Sequence, residues 1–172
     1  DSILFYRLGD FYEMFFEDAK LVSQELDLVL TGRSAGVEEK VPMCGIPFHA
    51  ANSYIQRLVK KGYKVAICEQ LEDPSSAKGL VDRGIIKIIT PGTYMDATMD
   101  AKSTNYMASC DVSSFEITVI YCELSTGELK YQTLQRSLVA LQKALLEQNV
   151  SELVCPMTMD KKWMAALEEM DT

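Results

Sequence analysis

Ile3-Leu4-Phe5-Tyr6-Arg7-Leu8-Gly9-Asp10-Phe11-Tyr12-Glu13-Met14-Phe15-Phe16 is the stretch on which the reading of the fold turns. Residues 3–8 are short, apolar and aromatic and are closed by Gly9-Asp10, which predicts a strand ending in a turn. From there Tyr12, Phe15, Phe16, Ala19, Val22 and Leu26 recur at helical spacing while Glu17, Lys20, Gln24 and Asp27 take other faces, which predicts a helix from about residue 11 to 28. In such a helix Asp10 is the N-cap and Glu13, three residues on, completes a capping box. Phe11 lies at the edge of the apolar stripe, roughly 80–100° from Tyr12 and Ala19; it packs as a marginal core residue or projects from the helix tip, and periodicity leaves both open. Phe11 and Glu13 stand about 160° apart on the same wheel, so a ligand shared by them lies off the N-terminal end.

Working outward, residues 31–40 (TGRSAGVEEK) contain two glycines and few apolar side chains and read as an exposed loop. Pro42, Gly45 and Pro47 keep the chain irregular as far as His49. Residues 51–61 (ANSYIQRLVKK) put Tyr54, Ile55, Leu58 and Val59 on one face, with an Asn/Ser start, two closing lysines and Gly62 just beyond, which predicts a second helix. Residues 63–68 (YKVAIC) predict a strand, Asp73-Pro74-Ser75-Ser76 a break, and residues 84–90 (GIIKIIT) another strand stopped by Pro91-Gly92. Strand, helix, helix, strand, strand describes a compact α/β (α+β) unit with a mixed sheet.

Residues 96–104 (DATMDAKST) are small and polar and mark a boundary, so the chain divides into a first domain at 1–95, a linker at 96–105 and a second region at 106–172. In the second region residues 115–123 and 128–134 are strand-like and joined by Ser125-Thr126-Gly127, a hairpin by its turn residues. Residues 137–148 form an amphipathic helix built on Leu138, Leu141, Leu145 and Leu146, followed by a strand at 152–155 and a further helix at 160–170. This is an incomplete α/β layer. With Asp1 in place of Met and an end in mid-pattern, the chain reads as an excised piece of a longer one.

At 172 residues, 48% apolar and 24% charged, the composition is that of an ordinary folded protein with enough chain for one domain and part of another, or for two small ones. No apolar run approaches the roughly 20 residues of a membrane span. Five cysteines without a C-x-x-C pair read as reduced thiols in a cytosolic protein, and with one histidine a zinc site would need Cys44 and His49 plus distant partners. The 17 basic and 25 acidic side chains give a net charge of −8, and both halves are acidic, which excludes gripping nucleic acid by charge alone; any such role is local and specific. There is no G-x-x-x-x-G-K-[ST], G-x-G-x-x-G, G-x-S-x-G or H-E-x-x-H pattern, so no catalytic residue is assigned. A Cys44 nucleophile with His49 as base lacks a third group to orient the base.

Five motifs occur in order: LFYRLGDFYEMF at 4–15, PMCGIPFHA at 42–50, VAICEQ at 65–70, Asp73-Pro74 with Lys78-Gly79, and Thr90-Pro91-Gly92-Thr93. Together they closely resemble the N-terminal mismatch-recognition domain of the MutS family of bacterial DNA mismatch repair proteins. From about residue 105, with CELSTGE at 122–128, the chain resembles the start of that family's connector domain, which has an RNase H-like fold. The resemblance implies a mixed-sheet recognition domain followed by a partial connector.

It also implies roles for particular residues. The family's Phe-x-Glu motif matches Phe11 and Glu13: the phenylalanine wedges in from the minor groove and stacks on a mispaired or unpaired base, and the glutamate hydrogen-bonds that base. The chemistry suits the residues, since a phenyl ring stacks on any base and its insertion costs a few kcal/mol that a mismatch has already partly supplied. Specificity then comes from deformability, and a carboxylate that repels the phosphates of matched DNA adds discrimination. Leu8 and Asp10 flank the wedge as candidate contacts beside their strand and cap readings, and Arg33, Ser34 and Lys40 are candidate phosphate contacts in a loop that also carries acidic Glu38-Glu39. His49 reads as a loop-holding hydrogen-bonding residue. The implied partners are mismatched double-stranded DNA, a second subunit in a homodimer of the longer protein, and a downstream repair protein such as MutL through the connector; no membrane is implied, and the location is cytoplasmic. No cofactor or metal is expected in this chain, while ATP and magnesium are implied for an ATPase domain of the longer protein. Two rival readings stand beside this one: a metal-dependent nuclease using Asp111, Glu116, Glu123 and Glu128, and a protein-interaction module.

Overall fold

The computed structural model describes residues 2–34, 40–72, 79–95 and 105–171. The expected break at 73–76, Glu38-Glu39, Lys78 and the boundary at 96–104 lie outside them. The chain splits into two compact units, Asp1–Tyr94 and Met95–Thr172.

In the first unit β1 (Ile3–Leu8) is followed by β2 (Phe11–Phe15), α1 (Phe16–Leu26), β3 (Thr31–Arg33), β4 (Val41–Pro47), a 3-10 turn at Phe48–Ala50, α2 (Ala51–Val59), β5 (Val65–Gln70) and β6 (Arg83–Ile89). The strands form one sheet in the order β3-β4-β2-β1-β5-β6, with β1 parallel to β5 and every other pairing antiparallel, which is the mixed sheet expected.

The helix expected from residue 11 begins five residues later. Gly9, with φ 58°, and Asp10 make a two-residue connection that sets Leu8 opposite Phe11, and the chain returns as a strand. Along β2, Tyr12 and Met14 are buried while Phe11 is 47% exposed, so the period is two and not 3.6. Asp10 is therefore not a helix cap. Phe15 holds that position in extended conformation without a side-chain cap hydrogen bond, and the chain turns through Phe16 at φ 54°. The capping box of Asp10 and Glu13 does not form. Once in the helix, Ala19, Val22 and Leu26 are buried as the spacing required, and Asp18 Oδ2 accepts the Leu4 N–H at 2.8 Å.

Residues 41–47 are also more regular than expected. β4 pairs with β2 on one side and β3 on the other; Cys44 and Ile46 are buried, and Gly45 between them is exposed. The alternation is masked in sequence because Pro42 and Pro47 sit near the strand ends and glycine fills the outward position between. β3 forms from the first three residues of the expected loop, and its Gly32 is required there: a Cβ would lie 2.8 Å from Lys40 Cβ. Phe5, Met14, Val22, Ile46, Leu58 and Val65 are fully buried between the sheet and the helices, each contributing about 1.5–3 kcal/mol of transfer free energy.

The second unit contains β7 (Tyr106–Val112), β8 (Glu116–Glu123), β9 (Glu128–Gln135), α3 (Leu138–Glu147), β10 (Val150–Val154) and α4 (Lys161–Glu168), with sheet order β10-β7-β8-β9. The β8–β9 hairpin, both helices and β10 match the expected elements within a few residues at each end. β7 is additional: Tyr106, Ala108 and Cys110 are buried, with Met107, Ser109 and Asp111 on the other face, an alternation whose middle residues, Ala108, Ser109 and Cys110, are too small to announce a strand. Its core joins Tyr106, Ile117, Val119, Tyr121 and Leu141 to Trp163 and Leu167 of α4.

Candidate nucleic-acid interface

Because residues two apart on a strand share a face, β2 turns Phe11, Glu13 and Phe15 outward together, with Phe11 and Glu13 about 6.6–6.8 Å apart along the strand. A ligand shared by Phe11 and Glu13 thus meets an open sheet face and not a helix tip. The neighbouring strands fill in around the pair. Leu8 and Pro47 stand opposite Phe11, and Tyr6 and Gly45 opposite Glu13. A Cβ on Gly45 would lie 3.6 Å from Glu13 Cγ and 4.0 Å from Phe11 Cδ1, so the glycine leaves the space beside both side chains open.

The hairpin that carries Phe11 is tied down at its root. The Asp10 carbonyl accepts the Phe48 N–H at 2.9 Å, and Arg7 Nε donates to the Gly9 carbonyl. The Arg7 guanidinium lies 3.7 Å from the Phe48 ring centroid, within reach of a cation–π contact, and 3.3 Å from Glu69 Oε1. The Tyr12 hydroxyl donates to the same Glu69 oxygen, and its burial, followed by that carboxylate, pushes the hydroxyl up to about 12. Arg83 Nε donates to the Arg7 carbonyl at 2.8 Å. Leu8, Asp10 and Phe11 thus project from a turn whose backbone carbonyls are held by β1, β6 and the 3-10 turn.

Of the residues singled out in the sequence, Leu8, Asp10, Phe11 and Glu13 come together at this end of the sheet. Arg33 joins them in an unexpected way: from β3 its Nη1 lies 2.6 Å from Glu13 Oε2, with the Arg33 side chain 50% exposed and that of Glu13 18%. Lys40 lies across Gly32, and nothing among the described residues ties it to the Phe11–Glu13 pair. The residues missed are Gly45, Pro47 and the Arg7–Glu69 brace. A signal for the hairpin was present: Gly9-Asp10 between two runs of alternating aromatics is a two-residue turn signature.

The other candidates have local structural work. Cys44 faces the core, away from Gly45, and donates to the Ala19 carbonyl at 3.5 Å; burial, with the Asp18 carboxylate adding to it, pushes its thiol up to about 11, while His49 stands on the surface. Glu123 accepts hydrogen bonds from the hydroxyls and backbone N–H groups of Ser125 and Thr126, which hold its carboxyl down to about 2. Glu128 accepts from the Tyr106 hydroxyl at 2.6 Å and pairs with Lys130. No group of three or more His, Cys, Asp or Glu among the described residues is placed to hold a metal ion.

The first unit is thus an α+β module that displays an aromatic ring and a carboxylate side by side on an open sheet face, from a braced hairpin. The chain belongs to the MutS family: the family model for MutS domain I matches residues 1–98. It is 54% identical over 162 residues, 88% of this chain, to the DNA mismatch repair protein MutS of Clostridium botulinum (strain Loch Maree / Type A3). It is 58% identical over 129 residues, 74% of this chain, to the protein of the same name from Clostridium tetani (strain Massachusetts / E88). The chain spans 17% and 15% of the length of these two relatives.

Proposed function

We propose that this chain detects mispaired or unpaired bases in duplex DNA, as the recognition part of a longer protein of DNA mismatch repair. The observation that carries the reading is Phe11 standing half-exposed beside Glu13 on one face of a hairpin with a braced root. Phe11 enters from the minor groove and stacks on the mispaired base, and Glu13 hydrogen-bonds it. A ring on a mobile loop would lose much of its stacking gain to ordering; here the ordering is done by the fold before DNA arrives. Stacking supplies about 1–3 kcal/mol per base, comparable to the unstacking it must offset, so duplexes already weakened by a mismatch are selected. The names of the relatives support the same process.

We assign no catalytic step to this chain, whose sequence has no Gly-rich, Lys-bearing phosphate loop, and place the ATP and magnesium of the family's ATPase in the remainder of the longer protein. Homodimerisation and the docking of a downstream repair protein such as MutL also belong to that longer protein, the latter through the second unit, and its setting is the cytoplasm. No helix among the described residues is long and apolar enough to cross a membrane.

The test is fluorescence anisotropy with a duplex bearing one unpaired base and its matched control, at low salt, for wild type and Phe11→Ala. The expected outcome is a preference for the unpaired base that drops about ten- to a hundredfold in the variant, the equivalent of the lost stacking. Equal binding of both duplexes, indifferent to Phe11, would refute it in favour of a protein-interaction module.

A further inference from the structure

Arg33 on the edge strand β3 stands opposite Val41 of β4, and Glu13 on β2 stands opposite Gly45, so the contact runs diagonally across β4, two strand spacings (about 10 Å) over and offset along the strand, to place Nη1 2.6 Å from Glu13 Oε2. At its Glu13 end the contact lies beside Gly45 of β4, where a Cβ would stand in ordinary contact, 3.6 Å from Glu13 Cγ. A phosphate-binding arginine on an exposed loop points to solvent. This one is turned across the sheet onto the carboxylate that shares the open face with Phe11.

We propose that Arg33 is a specificity-determining residue that acts through Glu13 and not through DNA phosphates, an inference that rests on the function proposed above. The charge-assisted hydrogen bond holds Oε2, fixes the carboxylate's orientation beside Phe11 and leaves the second oxygen for the base. It also offsets the carboxylate's charge, so that Glu13 can approach a phosphate-lined groove without full repulsion. Arg33 is then a positioning residue: its worth appears in the preference between duplexes, and only while Glu13 is present.

A double-mutant cycle separates this from a phosphate contact. Anisotropy with the unpaired-base duplex and its matched control is measured across a salt series for wild type, Arg33→Gln, Glu13→Gln, the double variant and Arg33→Lys in the full-length protein, with thermal unfolding of each as the folding control. The expected result is a preference lowered about three- to tenfold by Arg33→Gln in the presence of Glu13, a change under about twofold when residue 13 is Gln, and partial recovery in Arg33→Lys. Equal weakening of both duplexes, the same in either background and with a salt slope reduced by about one, overturns the proposal and makes Arg33 a phosphate contact. The Phe11→Ala control keeps the two failures apart: a preference that survives it overturns the underlying function and this proposal together, whereas a preference lost with Phe11 but uncoupled between Arg33 and Glu13 overturns this proposal alone.

Discussion

Glu13 is the residue where charge and geometry meet most directly. Its side chain is 18% exposed and held by Arg33, yet it stands beside Phe11, which in the function proposed above enters a groove lined by phosphates. In that role, neutralising it should relieve repulsion against any duplex while replacing a charged acceptor by the weaker amide oxygen. Glu13→Gln is therefore expected to tighten binding to matched DNA and to shrink the preference for an unpaired base by about tenfold, the scale of a hydrogen bond to a charged group. Titration of both duplexes checks this, and unchanged discrimination would contradict it. The roles proposed for Phe11 and Glu13, stacking and hydrogen bonding, were implied by the family resemblance of their motif, to which the residue types are suited. The partner of Glu13 was not. Arg33 is twenty positions away and two strands across, a contact that depends on β4 lying between β2 and β3.

Among the elements, β2 shows where periodicity misleads. Residues 11–16 (FYEMFF) are aromatic enough to satisfy a stripe at either spacing, and the apolar positions of α1 that follow extend the helical pattern backward. The strand prevails because β2 is bonded on both sides, to β1 across the Gly9-Asp10 turn and to β4. Burial then follows a period of two, which makes a sharp stability contrast. Met14→Ala, at a fully buried site, should cost about 2–5 kcal/mol, while Phe11→Ala, three residues earlier on the open face, should stay within about 0.5 kcal/mol. Urea unfolding of the two variants reads the difference, and a helix over the same residues would not place the two on opposite faces.

The β8–β9 turn yields a pH dependence of defined sign. Glu123, held at about 2 against an ordinary 4.5, is charged in the folded state where the unfolded chain would already be protonated. Its contribution to stability is thus present above about 4.5 and lost as pH falls through about 2. Acid unfolding of the second unit, followed by its Trp163 fluorescence, should become less steep across that window in Glu123→Gln. The turn itself was legible from Ser125-Thr126-Gly127. That Glu123 serves as its acceptor was not, because the sequence offers the same carboxylate equally to a solvated face or a metal site.

For the whole molecule, charge is the governing property. A chain with a net charge of −8 has little general attraction for DNA, so the recognition proposed above would rest on a few contacts at one end of one sheet. Between about 50 and 200 mM salt, the chain's affinity for an unpaired-base duplex should fall much less than the about 10³–10⁵-fold typical of proteins making 6–10 phosphate contacts. Anisotropy across that salt range measures the slope.

The sequence by itself determined the composition of both cores, the order of most elements, the mixed α+β character and the residue types that can stack on and hydrogen-bond a base. These are properties of local pattern and side-chain chemistry, and they survive any error in the placement of one strand. Only the tertiary structure decided that Phe11 and Glu13 share a face, that Gly45 opens the space beside them, that Arg7 and Glu69 brace the hairpin and that Arg33 reaches Glu13. The physical reason is sheet pairing: which strand lies beside which, and in what register, is set by hydrogen bonds between segments far apart in the chain, and a change of one residue in that register turns every side chain to the opposite face.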